Sequence, residues 1–443
     1  MSTAVSMPMS TRRERWSWYL YDFGNSAYAS VVLLAVYAAY FQGQVVGGPE
    51  GSRLWGIAVG IAMLVVAVTA PVLGAVADFS GAKKRFLFFF TALSCLFTAG
   101  LFFAKPGAVA LGMGFFILAE IGYRAAQVFY DAFLPEIAAP EEMGRVSGTG
   151  WAVGTAGGVV CLLIILPLVI LFKGQFMVRF SLVITAVFFA LSTVPLFLFV
   201  REKAQPQPLP PGETYLSVAF GRIRATFREA RRFKEFLKFL VAYLIYNDGI
   251  MMIMNFAGII GAVLFSLDQQ RLILFMILVQ VTNVVGAYGF GILVDRVGAK
   301  RSLFLALTLL VALVVALFFT HSVAGFFVIG ALVGIAMAGA QSVSRTMVAF
   351  LCPPEKSAEF YGFFTLSGRT SSFIGPTVYG IVAAEAALWY QARGWGATLA
   401  EQGGQRIALL GIAAFVLAGM AILAFVRERE AREAAKAAPA GIH

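Results

Sequence analysis

Twelve apolar runs, each about as long as the ~20 residues a helix needs to cross a bilayer, constrain this chain more than any other feature. They cover approximately 17 to 41, 54 to 78, 86 to 104, 107 to 130, 147 to 172, 177 to 200, 238 to 265, 272 to 295, 302 to 320, 323 to 350, 359 to 384 and 406 to 426. Hydrocarbon offers no partner for a backbone amide, so such runs can only be helices that satisfy themselves. The connectors are short, which leaves no room for an appended soluble domain among the 443 residues. Only 13% of residues are charged, about half the soluble average. The expected fold class is an all-α membrane protein. Met1 to Ser10 lacks the apolar core and small-residue site of a cleaved leader, so no signal peptide is expected and the first run is itself an anchor.

The net charge of +11 could suggest a nucleic-acid partner, but its distribution argues against one. Most Lys and Arg fall in alternate segments: the N-terminus, the loops after spans two, four, six, eight and ten, and the C-terminus. By the positive-inside rule this predicts a multi-pass inner-membrane protein with both termini cytoplasmic. Three cysteines without CxxC spacing and two distant histidines, His321 and His443, argue against a disulfide framework, a metal site or any cofactor. A membrane-embedded enzyme would need a nucleophile and base at helical spacing, and no such pattern is present.

The chain repeats itself. GAVADFSGAKKR at Gly74 to Arg85 recurs 217 residues later as GILVDRVGAKRS at Gly291 to Ser302, and Gly122 with Gly339 and Gly158 with Gly375 keep the same offset. Two pseudo-symmetric six-helix halves follow, residues 1–200 and 238–443, joined by a cytoplasmic linker at 201–237. That linker carries a stiff PQPLPP spacer, then a basic helix whose Phe220, Ile223, Phe227 and Phe233 form a stripe suited to the lipid surface. GxxxG steps at Gly56/Gly60, Gly154/Gly158 and Gly330/Gly334 read as helix-packing sites.

Each copy of the repeat is expected to place a first Gly (Gly74 or Gly291) where backbones approach closely, an Asp (Asp78 or Asp295), a second Gly in the tight turn (Gly81 or Gly298), and cations, Lys83 among them, at headgroup depth. Charges inside spans are costly and usually face a cavity or a partner. They are Asp22, near Asn25, in span one; Glu120 and Arg124, near Gln127, in span four with Asp131 at its end; Asp248 beside Asn247 in span seven; Arg345 in span ten and Arg369 in span eleven. Asn283 adds an amide in span eight. Glu120 and Arg124, four apart in acid-first order, read as a substrate or proton site, with a self-neutralising pair as the alternative. Asp22 and Asp248 open the two halves and read as cavity residues, with a structural cap as the alternative.

The doubled G-x-x-x-D-x-x-G-x-K-[KR] resembles motif A of the major facilitator superfamily, although Phe79 stands where Arg296 keeps the common Arg. WYLYDFGNSAYAS at Trp18 to Ser30, RAAQVFYDAFLPEIA at Arg124 to Ala138 and AYLIYNDGI at Ala242 to Ile250 resemble its vacuole-effluxer-like branch, typified by an autophagy-related amino acid exporter. The resemblance implies the twelve-helix facilitator fold, export of an amino acid, and roles for Asp22, Asn25, Tyr130, Asp131, Asn247 and Asp248. It also makes the motif-A loops, Asp295, Arg296 and Gly298 included, a cytoplasmic latch with Tyr130, Asp131 and Arg345 as gate partners. The expected function is secondary transport of a small polar solute by alternating access, by a monomer contacting membrane lipid and taking a proton as coupling ion. Proton-coupled drug or metabolite efflux is the alternative, ahead of a passive channel.

Overall fold

The computed structural model describes residues 11–138, 142–203, 209, 212–230, 233–351, 364, 368 and 372–428. Among these, the first six spans are α1 (Arg12–Val46), α2 (Gly48–Phe79), α3 (Lys83–Gly100), α4 (Val109–Asp131), α5 (Met143–Leu171) and α6 (Gln175–Phe199). A linker helix, Tyr215–Ala230, precedes α7 (Lys234–Phe265), α8 (Gln269–Val297), α9 (Ala299–Phe319), α10 (Val323–Leu351), α11 (Ile374–Ala392) and α12 (Ala397–Ala424). Eleven of the described helices are long and apolar enough to cross a membrane. Helix α11 takes the remaining place, beginning after a turn at Ser372 and Phe373; most of 359–371, the first part of the expected span, lies outside the described residues.

The halves repeat one packing scheme. In the first, α1 lies on α5 and α6, α3 on α4 and α6, and α2 on α4; in the second, α7 lies on α12 and α11, α9 on α10 and α12, and α8 on α10. They meet where α2 lies on α11 and α5 on α8. The GxxxG steps serve these seams: a Cβ at Gly56 would strike Gly380 and the Pro376 carbonyl, and one at Gly330 would strike the Phe275 ring. In α5, Gly150 faces the Trp18 ring, Gly154 the side chains of Asp22 and Ser26, and Gly158 that of Ser30. One stripe of small residues thus admits a polar stripe of α1.

Helix α1 is not a uniform α-helix. Residues 29–35 and 41–46 are π-helical, with a short α-helical turn between them. The wider π turn frees carbonyls from the regular ladder and bends the helix. Its outer half thereby reaches across to α7, with Gly258 close under the Leu34 carbonyl. The linker helix packs against α2, leaving Leu216 and Phe220 exposed, while the side chains of Ile223 and Phe227 lie outside the described residues.

Candidate functional site

On α4, Arg124 Nε donates to Glu120 Oε1 at 2.8 Å, so the acid-first pair closes on one helix face. The Glu120 side chain is fully buried while Arg124 keeps 20% of its surface exposed. The guanidinium lies 5.0 Å from the centre of the Tyr123 ring, which stacks on Tyr28 of α1 at 4.5 Å. Glu120 Oε2 and the Tyr28 hydroxyl are both buried without a hydrogen-bond partner. The pair is therefore neutral as a unit, and the carboxylate also faces the Tyr28 hydroxyl, close enough to interact though outside the distance or angle of a formed hydrogen bond. Gln127, one turn on, is half-buried.

Asp22 is half-buried against Gly154 of α5, with Asn25 Nδ2 at 3.5 Å from its Oδ1. Asn25 is buried, its Oδ1 unpartnered. At mid-depth the polar stripe crosses between halves: Gln280 Nε2 of α8 donates to Ser30 Oγ at 3.1 Å and Asn283 Nδ2 to Gln280 Oε1 at 3.4 Å. Gln280 escaped the sequence reading, although its i, i+3 spacing from Asn283 in an apolar run was the available signal.

Asp248 is 3% exposed, and its Oδ1 accepts the N–H of Gly375 at 3.3 Å in the first turn of α11. A carboxylate there satisfies an orphan donor and meets the positive end of the helix dipole. Asn247 Nδ2 stands 3.5 Å from Ser372 Oγ beside it. In this conformation the structure gives Asp248 the cap role weighed as the alternative to a cavity role. Arg369 lies outside the described residues, as does the side chain of Asp78.

Lys83, Lys84 and Lys300 of the motif-A segments bond within their own halves. Gly81 and Gly298 take φ of 57° and 88°, a left-handed turn that glycine adopts without strain, as expected. Among the described residues, none lies within 4 Å of where a Cβ at Gly74 or Gly291 would stand. Lys83 Nζ pairs with Glu136 at 2.7 Å, both side chains under 10% exposed, and its backbone N–H donates to Glu202 at 2.7 Å. Lys84 Nζ donates to the Val200 carbonyl at 2.7 Å. The second half repeats the clamp: the Lys300 N–H donates to Glu428 at 3.3 Å and its Nζ to the Val426 carbonyl at 2.6 Å. Asp131, Asp295, Arg296 and Arg345 are exposed, and Tyr130 is buried inside the first half.

Hydrogen bonds between the halves that join described residues lie at mid-depth or beyond it, away from the face carrying the termini. Gln42 Nε2 donates to Glu401 at 2.5 Å, Gln405 Nε2 to Ser52 at 2.7 Å, and Trp55 Nε1 to the Asn255 carbonyl at 2.8 Å. Gln269 Nε2 donates to Ala35 O, in the first π segment of α1, at 2.6 Å. Arg53 pairs with Glu385 at 2.6 Å and the Thr377 hydroxyl donates to the Gly56 carbonyl at 3.3 Å. Apart from Gly56, these seam residues are not marked by the sequence pattern.

Residues 55–436 match the model of the family described as vacuole effluxer Atg22 like. The chain belongs to that family. This Atg22-like chain is 28% identical over 389 residues to the MFS-type transporter YxiO of Bacillus subtilis, covering 85% of this chain and 90% of that one. It is 25% identical over 271 residues to autophagy-related protein 22 of Yarrowia lipolytica, covering 54% of this chain and only 45% of the yeast protein. Among solved structures, a bacterial homologue of the human lysosomal transporter Spinster superposes with a TM-score of 0.73 at 15% identity, covering 97% of this chain and all of that one. The nucleoside transporter NupG gives 0.67 at 14% identity, covering 94% of this chain and 100% of that one. The chain is an MFS-type membrane transporter and not an enzyme.

Proposed function

We propose that this Atg22-like chain moves a small polar solute, an amino acid, by alternating access, working as an exporter in a bacterial inner membrane with both termini cytoplasmic. The carrying observation is the one-sided seam. Described residues bridge the halves at mid-depth and toward the far face, while at the termini face a Cβ at Gly74 or Gly291 would meet no described residue within 4 Å. A protein that alternates must have such a sealed side and such an unmade contact. The neutral Glu120 and Arg124 unit supports a zwitterion, since Arg124 can turn to a substrate carboxylate while the freed Glu120 meets an ammonium group. The family description, an effluxer, agrees with export.

Proton coupling is the second reading, favoured by Glu120 Oε2, a buried carboxylate oxygen that can gain a proton without losing a hydrogen bond to a described residue. Proteoliposomes loaded with a labelled amino acid test both readings. Counterflow that unlabelled amino acids compete for, and that Arg124→Gln abolishes, is the expected result. Failure of every amino acid to compete sinks the substrate assignment, and transport indifferent to a pH gradient sinks the coupling.

A further inference from the structure

Beside the first motif-A turn a cavity of about 630 Å³ opens between the start of α3 and the end of α6, lined by Ser80, Lys84, Arg85, Phe88, Phe197 and Glu202 among others. Its upper wall is the N-half clamp. Glu202 takes the backbone N–H groups of Lys83 and Lys84, at 2.7 and 3.3 Å, so the helix end and the carboxylate neutralise each other. Lys84 Nζ is spent on the Val200 carbonyl. Arg85 is different: it is exposed and, among the described residues, its guanidinium makes no ion pair or hydrogen bond. One turn deeper the cavity becomes apolar, with Phe88 59% exposed and set edge-on to Phe197 at 5.3 Å.

We infer that this cavity binds the headgroup of one anionic phospholipid. The phosphate meets Arg85 and the Ser80 hydroxyl, and the glycerol and first methylenes lie along Phe88 and Phe197. Depth selects a lipid over a soluble anion. Lys83 to Arg85 end the polar loop and Phe86 begins the apolar run, so the cationic rim and the exposed ring straddle the boundary between headgroup and hydrocarbon. A soluble phosphate gains nothing from an exposed phenyl ring, whereas an acyl chain does.

The pseudo-symmetric position provides an internal control. The second half keeps Gly298 and Lys300, but Ser302 stands where Arg85 does, fully buried with its hydroxyl on the Gly298 carbonyl, and Val297 replaces Ser80. One site per chain follows, in the first half only.

Native mass spectrometry of the full chain released from nanodiscs of mixed phosphatidylglycerol and phosphatidylcholine reads the stoichiometry directly. The wild type is expected to retain one phosphatidylglycerol, and Arg85→Ala to lower the bound fraction about fivefold, the weight of one basic residue at a lipid surface. Arg301→Ala, at the exposed second-half position equivalent to Lys84, is expected to retain it. In lipid-free detergent Arg85→Ala should melt with the wild type, and lose only the stabilisation that added phosphatidylglycerol gives. Equal retention by Arg85→Ala overturns the proposal, as does equal retention of phosphatidylcholine by the wild type. Glycerol 3-phosphate matching phosphatidylglycerol in the melting assay overturns the lipid in favour of a soluble anion.

Discussion

Trp18 and Tyr130 are bonded to each other twice: Trp18 Nε1 donates to the Tyr130 carbonyl and the Tyr130 hydroxyl to the Trp18 carbonyl, each at 3.2 Å. Their rings stack at 4.4 Å and 6° between them. Tyr21 stacks on the other side of Tyr130 at 4.8 Å, and its hydroxyl is 2.7 Å from Thr91 Oγ1 on α3. Two of the three segments that carry the family resemblance thus dock on each other, tying α1, α3 and α4 into one unit.

A rigid seam and a gate respond differently to the same change. Tyr130→Phe removes one of the two bonds and keeps the stack, so it should cost about 1 kcal/mol in thermal or denaturant unfolding. Trp18→Ala removes the stack as well and should cost about 3 kcal/mol. Neither should alter the ratio of the two access states measured by spin-label distances across the halves, and a shift in that ratio with Tyr130→Phe would make Tyr130 a gate residue.

The Lys83 and Glu136 pair is buried on both sides, and Glu136 also accepts the Lys203 N–H at 2.7 Å. Removing one charge strands the other, so Glu136→Leu and Lys83→Met should each cost about 3 kcal/mol, while the double substitution costs less than either. A double cycle that proves additive would deny the pair its coupling.

The seam on the far face rests on neutral and charge-assisted bonds worth about 0.6 kcal/mol each in membrane proteins. Removing Gln42–Glu401, Gln405–Ser52 and Gln269–Ala35 together with Gln42→Ala, Gln405→Ala and Gln269→Ala should favour the far-open state by about 2 kcal/mol, a factor of about 30. Spin labels at Gly43→Cys and Leu399→Cys, both exposed on that face, would read a longer distance. An unchanged distance distribution would show that apolar contacts such as Gly56 on Gly380 hold the seam by themselves.

What the residues reveal by themselves is uneven for physical reasons. The spans are legible because hydrocarbon admits few alternatives, and the halves because Gly74 and Gly291 open copies of one segment. Glu120 with Arg124 is legible because helical spacing makes neighbours of them. Gln42 with Glu401 is not, since an amide in an apolar run carries no mark of a partner 359 residues away. The clamp is an instructive middle case. Phe-Val-Arg-Glu occurs at Phe199 to Glu202 and again at Phe425 to Glu428, each Glu bonding the start of a motif-A helix, but the shift is 226 residues and so falls outside the 217 register. The π segments of α1 leave no pattern, because they depend on Gln269 and α7 to satisfy and hold them.

Asp248 separates a cap from a proton carrier. Asn at this position keeps an oxygen acceptor for the Gly375 N–H and loses only the charge facing the helix end, a loss of about 0.5 kcal/mol. Asp248→Asn is therefore expected to keep transport and its dependence on a pH gradient, whereas Asp248→Ala, leaving the buried N–H unpaired, should cost 1 to 2 kcal/mol or about that. Loss of the gradient dependence in Asp248→Asn would return this carboxylate to the coupling role.

Glu120 carries the opposite expectation. Gln keeps its volume and can still accept from Arg124 Nε, but it cannot take up a proton, so Glu120→Gln should preserve exchange of substrate for substrate while uptake or efflux driven by a pH gradient falls to the undriven rate. Arg124→Gln leaves Glu120 buried and unpaired and should cost about 3 kcal/mol. Pairing the two substitutions removes the stranded charge, so the double variant should recover most of that stability without recovering driven transport. Parallel melting curves and gradient-driven flux from the same preparations distinguish the cases. If Glu120→Gln still follows the gradient, the proton is carried elsewhere; if the double variant melts as low as Arg124→Gln, the pair is not the coupled unit its 2.8 Å contact implies.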